Sequence, residues 1–142
     1  MLGELAPLCE KIEVAGSIRR QRPFVNDIDL VLIPKNQGVL AQKLYELGCR
    51  FGGPKLQRFT YKGIPVDIYI ASPQTWATLL LIRTGSTRHN KELCSLARRR
   101  GWQLKANGEG LVDSLGKRVA GESEEAIFKA LNVPYQEPWE RE

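Results

Sequence analysis

An α+β fold is predicted by three observations. Residues 27–34 are a nearly unbroken apolar run stopped by Pro34, the mark of a buried strand. Residues 56–71 hold two strand-like runs either side of Lys62-Gly63, a hairpin signature. Residues 37–49, with Val39, Leu40, Leu44 and Leu47 at helical spacing, predict an intervening helix. The remaining elements follow in order. Residues 2–11 are expected to be a helix with Pro7 weakening its first turn, and "IEVAG" (12–16) a short strand. Pro73 in "PQTWATLLLI" opens a helix. A second helix over about 88–100 follows "TGS" and stops at Gly101, and residues 102–119 form short strands around glycine turns. "ESEEAIFKAL" is a helix whose first-turn acids suit its dipole. A strand-rich unit, 1–73, therefore precedes a helix-plus-β unit, 74–142.

Composition narrows the function classes. No apolar run reaches the roughly 18 residues of a membrane span, and "MLGELAPLCEK" does not resemble a secretory leader. Cys9, Cys49 and Cys94 lack metal-ligand spacing and read as reduced thiols, so a cytoplasmic setting is expected. Net charge is +5, but residues 122–142 hold six of the 16 acids and two of the 21 basic residues. Residues 1–121 are left with 19 basic and 10 acidic residues, net +9, a balance that favours a polyanionic partner.

The strand over 27–34 carries two carboxylates at its mouth. Residues i and i+2 of a strand face the same way, about 6.5–7 Å apart, so Asp27 and Asp29 share a face. Like charges at about 4 Å repel by roughly 4 kcal/mol at an effective dielectric near 20. Protonation, basic neighbours or a divalent cation would relieve this. No other acid lies between residues 14 and 45, and Asp67 interrupts the apolar strand "GIPVDIYIA". If the two strands are sheet neighbours, the three acids converge. Hard carboxylate oxygens suit Mg²⁺, and three acids can hold two such ions about 3.5–4 Å apart. Upstream, Gly16 permits a tight turn, Ser17 and its neighbouring amides suit an anion, and Arg19 and Arg20 offer donors to phosphate oxygens.

The segments "GSIRRQRPFVNDIDLVL", "VDIYI", "TGSTRHN", "ANGEGLV" and "SEEAIFKALNVPYQEP" resemble, in that order, the motifs of family X DNA polymerases, the polymerase beta-like enzymes. The resemblance spans about residues 10–140 and implies a nucleotidyltransferase palm with a mixed β-sheet (1–73), followed by a small helix-plus-β thumb (74–142). Nothing in the sequence resembles the family's lyase, helix-hairpin-helix or phosphoesterase regions, so weak, salt-sensitive DNA binding and distributive synthesis are expected. By this resemblance, Asp27 and Asp29 bridge two Mg²⁺ ions, for which Mn²⁺ substitutes. Asp67 binds the catalytic ion and stands beside the primer 3′-hydroxyl. Gly16, Ser17 and Arg20 hold the triphosphate, and Asn26 fills a position often taken by glycine beside it. Thr84, Gly85 and Ser86 form the turn beside the sugar, with a cis Gly85–Ser86 bond, and Asn90 reaches the base. Lys91, Arg98, Arg99, Arg100 and Lys105 are the expected DNA contacts. A monomer acting on primer-template or gapped DNA with dNTPs, in short-gap repair and without a membrane, is implied.

The pattern also departs from the family. Ile82-Arg83 replaces an aromatic pair that helps reject ribonucleotides, which predicts weaker discrimination against them. Cys94 replaces a template-contacting arginine. Two other readings remain: a nucleotidyltransferase acting on DNA, RNA or protein ends without a template, and a non-catalytic DNA-binding module. His89, the only histidine, is expected to be exposed and non-catalytic, and Trp76, Trp102 and Trp139 to be packing residues.

Overall fold

The computed structural model describes residues 1–142, the side chain of Phe51 excepted. Its first sheet has the order β1-β2-β5-β4-β3, formed by β1 (Cys9–Val14), β2 (Ile28–Pro34), β3 (Phe51–Gly52), β4 (Leu56–Tyr61) and β5 (Ile64–Ile70). β2 and β5 pair in parallel and the other neighbours antiparallel, so the sheet is mixed. Lys62 (φ 50°) and Gly63 (φ 83°) both take the left-handed region, which suits a two-residue hairpin turn between β4 and β5.

β2 is buried on both faces, which explains its unbroken apolar run. Leu30 and Leu32, with Val66 and Ile68 of β5, pack beneath α3 (Gln37–Glu46) on Leu40 and Leu44. The Asn36 side chain caps α3 by accepting from the Val39 amide at 3.0 Å. Val31 and Ile33 pack on the other face against Leu79 and Leu80 of α4 (Trp76–Thr84). By strand alternation Asp29 shares the α4 face with Val31 and Ile33, as Asp67 shares it with Tyr69 and Ala71.

The second sheet, β6 (Gln103–Lys105), β7 (Gly110–Val112) and β8 (Arg118–Ala120), is antiparallel. It packs with α5 (Thr87–Arg99) and α6 (Glu124–Ala130) around Leu93, Leu104, Leu111, Ile127 and Phe128. Leu81 of α4 enters this core while Leu79 and Leu80 enter the other, so α4 is buried nearly all round and belongs to both. No helix among the described residues is long and apolar enough to cross a membrane.

Several local expectations need correction. The helix expected over 2–11 is only α1 (Leu2–Leu5) followed by a 3₁₀ turn, Ala6–Leu8, because Pro7 interrupts it and pairing with β2 draws the chain from Cys9 onward into β1. The one-turn helix α2 (Gly16–Arg19) follows β1 directly. The helix after Pro73 begins at Trp76, since residues 72–75 form a turn closed by the Thr75 Oγ1, which accepts from the Ser72 amide at 2.9 Å. β3 is too short to leave a periodic signal. His89 is 1% exposed rather than solvated, and Trp139 is 49% exposed rather than packed.

Candidate functional site

The site lies where β2 begins, beside β5 and the last turn of α4. Asp29 and Asp67 are direct partners in the parallel register, which sets their Cα atoms about 4.8 Å apart. Asp27 stands two residues before Asp29. α2 closes over this end, anchored by the Ala15 amide donating to the Asp29 carbonyl at 2.8 Å. Gly16 has φ +61°, and a Cβ on it would collide with Asp29 Oδ2, so glycine is what lets the α2 backbone meet the carboxylate.

A cavity of about 330 Å³ opens there. It gathers Gly16, Ser17, Arg20, Asp27, Asp29, Gly85 and Asn90 from the expected set, and adds Tyr69, Ile82, Arg83 and Thr87. Burial, with the charges of Asp27 and Asp67, pushes the Asp29 carboxyl up to about 6 against the opposing pull of Arg83 and Arg20. Asp67 does not line the cavity, because its Oδ1 pairs with Arg58 Nε at 3.2 Å. The expected convergence is therefore a shared sheet end and shared electrostatics. Among the described residues, no three His, Cys, Asp or Glu side chains stand close enough to enclose a cation as they are oriented.

Arg20 donates to the Thr84 carbonyl and reaches Glu142 Oε1 at 3.4 Å. Thr84 is fully buried, its Oγ1 donating to the Leu80 carbonyl at 2.6 Å and accepting from Arg19 Nη1 at 2.8 Å. The Gly85–Ser86 bond is cis. Ser86 caps α5, its Oγ accepting from the His89 amide at 3.2 Å. Asn90 Nδ2 donates to the Ile82 carbonyl at 2.8 Å, while its Oδ1 is buried without a hydrogen-bond partner. Asn26 is exposed, outside the cavity lining.

The basic residues lie elsewhere. Lys91, Arg98, Arg99 and Arg100 are exposed on α5 and its end, and Lys105 is half-buried on β6. Lys91 and Arg99 line a shallow groove with Arg88. Arg98 donates to Ser95 Oγ at 3.3 Å, and Arg100 stacks 5.5 Å from the Trp102 ring centre.

Sequence reasoning missed the buried junction behind the cavity. Glu124 Oε1 and Oε2 accept from Arg19 Nη2 and Nη1 at 2.7 and 2.9 Å, and Oε2 accepts from Arg141 Nη1 at 2.7 Å. Arg141 is wholly buried and also donates to the Gln136 carbonyl at 3.0 Å and Tyr135 Oη at 3.1 Å. Nothing in local sequence marks residues 105 apart as partners. His89, in the first turn of α5, packs against Phe128, its Nε2 sharing a hydrogen bond with Gln136 Oε1 at 2.8 Å.

A fold of this kind is also found in solved polymerases. Polymerase beta of Leishmania infantum in a ternary gap complex aligns with TM-score 0.83 and 23% identity over 99% of this chain and 65% of its own. The same polymerase in a ternary P/T complex gives 0.79 and 24%, over 99% and 70%. These likenesses define the fold class. Residues 79–142 match the family model described as DNA polymerase beta thumb. DNA polymerase lambda of Rattus norvegicus is 31% identical over 132 residues, covering 87% of this chain and 22% of the relative. The DNA polymerase/3'-5' exonuclease PolX of Bacillus subtilis (strain 168) is 27% identical over 140 residues, covering 93% and 24%. The chain is family X DNA polymerase-like. It spans less than a quarter of the length of these curated relatives.

Proposed function

We propose that this chain is a Mg²⁺-dependent nucleotidyltransferase that extends a primer 3′-hydroxyl with dNMP opposite a template, in short-gap DNA repair. The observation that carries this reading is the in-register pairing of Asp29 with Asp67, with Asp27 beside them at the mouth of a cavity that also holds Gly16, Ser17 and Arg20.

The donor set fits a hard divalent cation. It offers carboxylate oxygens, and one of them, on Asp29, is disfavoured as a bare anion by burial and by its neighbours. Asp27 and Asp29 would hold two ions between them, and Asp67, exchanging its Arg58 partner, the one nearest the acceptor hydroxyl. When bound, such ions neutralise phosphate charge and make the hydroxyl more acidic.

The protein's own groups do the rest. Gly16 and Ser17 offer donors to phosphate oxygens, and Arg20, oriented by the Thr84 carbonyl, adds charge-assisted ones. Asp67 takes the proton of the 3′-hydroxyl. That oxygen bonds to the α-phosphorus as the bond to the β-phosphate oxygen breaks, and pyrophosphate leaves. Positioning and charge account for the acceleration. Asn90 Oδ1, buried and unpartnered, faces the base as an acceptor. The exposed basic face of α5 meets duplex phosphates.

The test is Mg²⁺-dependent extension of a primer across a one-nucleotide gap, each dNTP offered singly, beside Asp67→Ala. Template-matched addition lost in the variant supports the reading. Addition regardless of template replaces it with end-addition, and no addition by the folded protein overturns it.

A further inference from the structure

Arg83 and Tyr69 line two cavities: the acid-lined one and a larger, more apolar one of about 450 Å³. The larger cavity has the size of a small-molecule site, and such sites favour junctions between structural units. Its walls come from both units. β5 and α4 supply Ile70 and Leu79, and the β6–β7 turn supplies Ala106 and Asn107. That turn is pressed onto α4 through Gly108, where φ is +102° and a Cβ would stand 2.6 Å from Thr75 Cβ. Packing of the turn on α4 thus fixes the cavity without filling it.

The neutral polar groups of the lining are engaged within the protein. Gln37 Nε2 donates to the Pro54 carbonyl, Thr75 Oγ1 accepts from the Ser72 amide, and Asn107 Nδ2 donates to Glu109 Oε1, each at 2.9 Å. The two cations of the lining are not. Among the described residues, neither the Lys55 ammonium nor the Arg83 guanidinium makes a hydrogen bond or ion pair, and Arg83 Nε is buried without a partner. The guanidinium stacks 4.3 Å from the Tyr69 ring centre, which holds it in place without using its N–H groups. Its charge reaches Asp29 in the neighbouring cavity, but among the described residues no carboxylate lines the larger one. A half-buried guanidinium without an acceptor is unfavourable until a ligand supplies one.

We propose that this cavity is a second ligand site, for a small organic anion whose apolar body lies against Leu56, Ile70 and Leu79 and whose single anionic headgroup accepts from Arg83, with exposed Lys55 at the rim. Charge complementarity selects the ligand class. Polyphosphate suits the other cavity, where Gly16, Ser17 and Arg20 gather donors and the surface is mostly polar. Here the walls are mostly apolar and only two cations are free, which suits a monoanion with a hydrophobic body. An occupant would touch β5, α4 and the β6–β7 turn together, and so bridge the two units. The assignment stands apart from the polymerase reading, and its test needs neither Mg²⁺ nor nucleotide.

The experiment titrates 2-naphthoate and its uncharged analogue 2-naphthamide into the protein, followed by ¹H–¹⁵N NMR. Naphthoate is expected to bind with Kd of about 1 mM or tighter, shifting amides at Lys55, Ile70, Ala71 and Asn107. Naphthamide should bind about tenfold more weakly, the effect of one charge-assisted hydrogen bond. Arg83→Leu should remove that difference by weakening naphthoate alone. Lys55→Ala, at an exposed position that does not endanger the fold, should weaken naphthoate by about two- to threefold. Ala106→Trp, exposed in the turn, should obstruct both compounds. No binding by the folded protein at about 10 mM, well above this range, overturns the proposal. Equal affinity for the two compounds, or naphthoate unmoved by both Arg83→Leu and Lys55→Ala, also overturns it. So does displacement of naphthoate by pyrophosphate, which would place the anion beside Arg20 in the acid-lined cavity.

Discussion

Glu124→Gln is the most informative single change in the frame of this protein. It keeps the shape of a side chain only 8% exposed but removes the one carboxylate shared by Arg19 and Arg141. Arg141 is 0% exposed and Arg19 16%, so neither guanidinium regains water when its counter-ion goes. Removing one partner from a buried ion pair destabilises by about 3–5 kcal/mol, and the retained amide oxygen places this case near the lower end. For a chain of this size that is a fall in Tm of roughly 10–15 °C. Urea or thermal unfolding at pH 7 measures it.

The same pair makes a pH prediction. Burial pushes the Glu124 carboxyl up, but the Arg19 hydrogen bonds and the charges of Arg141 and Arg19 outweigh it and hold it below the ordinary 4.5. A depressed folded value means the stabilisation is fully present above the unfolded value and is lost as pH falls through the folded one. The wild-type and Glu124→Gln stability curves should therefore be farthest apart at neutral pH and converge as pH drops below about 4.5. A difference at pH 7 under about 1 kcal/mol, or one that persists unchanged at pH 3, would show that desolvation cancels the pairing and refute the reasoning.

Three further outcomes follow from particular contacts. Gly16→Ala forces a side chain onto φ +61° and into Asp29 Oδ2, so it should lower stability by about 1–3 kcal/mol and gap insertion by roughly 100-fold; insertion at the wild-type rate would contradict the geometry. Glu142→Gln frees Arg20 and Arg22 from a competing carboxylate, and calorimetric titration with pyrophosphate should show about two- to fivefold tighter binding at low salt, a gain that disappears at high salt. Burial holds the His89 imidazole below its ordinary 6.5, so its ring-proton NMR shifts should titrate with a midpoint below 6.5; a midpoint at or above 6.5 would be inconsistent with its packing against Phe128 and Gln136.

Local pattern determined much of this protein. The apolar run from Ile28 marked β2 with Asp27 and Asp29 at its start, the left-handed Lys62-Gly63 pair fixed the hairpin that carries Asp67, and glycine and serine punctuation marked the turns at 16–17 and 85–86. These signals are legible because strand, helix and turn preferences act over a few residues. What the tertiary structure alone decided involves distant partners. The parallel register set Asp29 opposite Asp67, Arg58 drew Asp67 aside, and the stack on Tyr69 left Arg83 without an acceptor beside the acids. Glu124 and Arg141 read as ordinary charged residues near one end of the chain until Arg19, 105 residues from Glu124, closes their network. A charge declares its partner only when both are removed from water, and burial is a property of the packed whole.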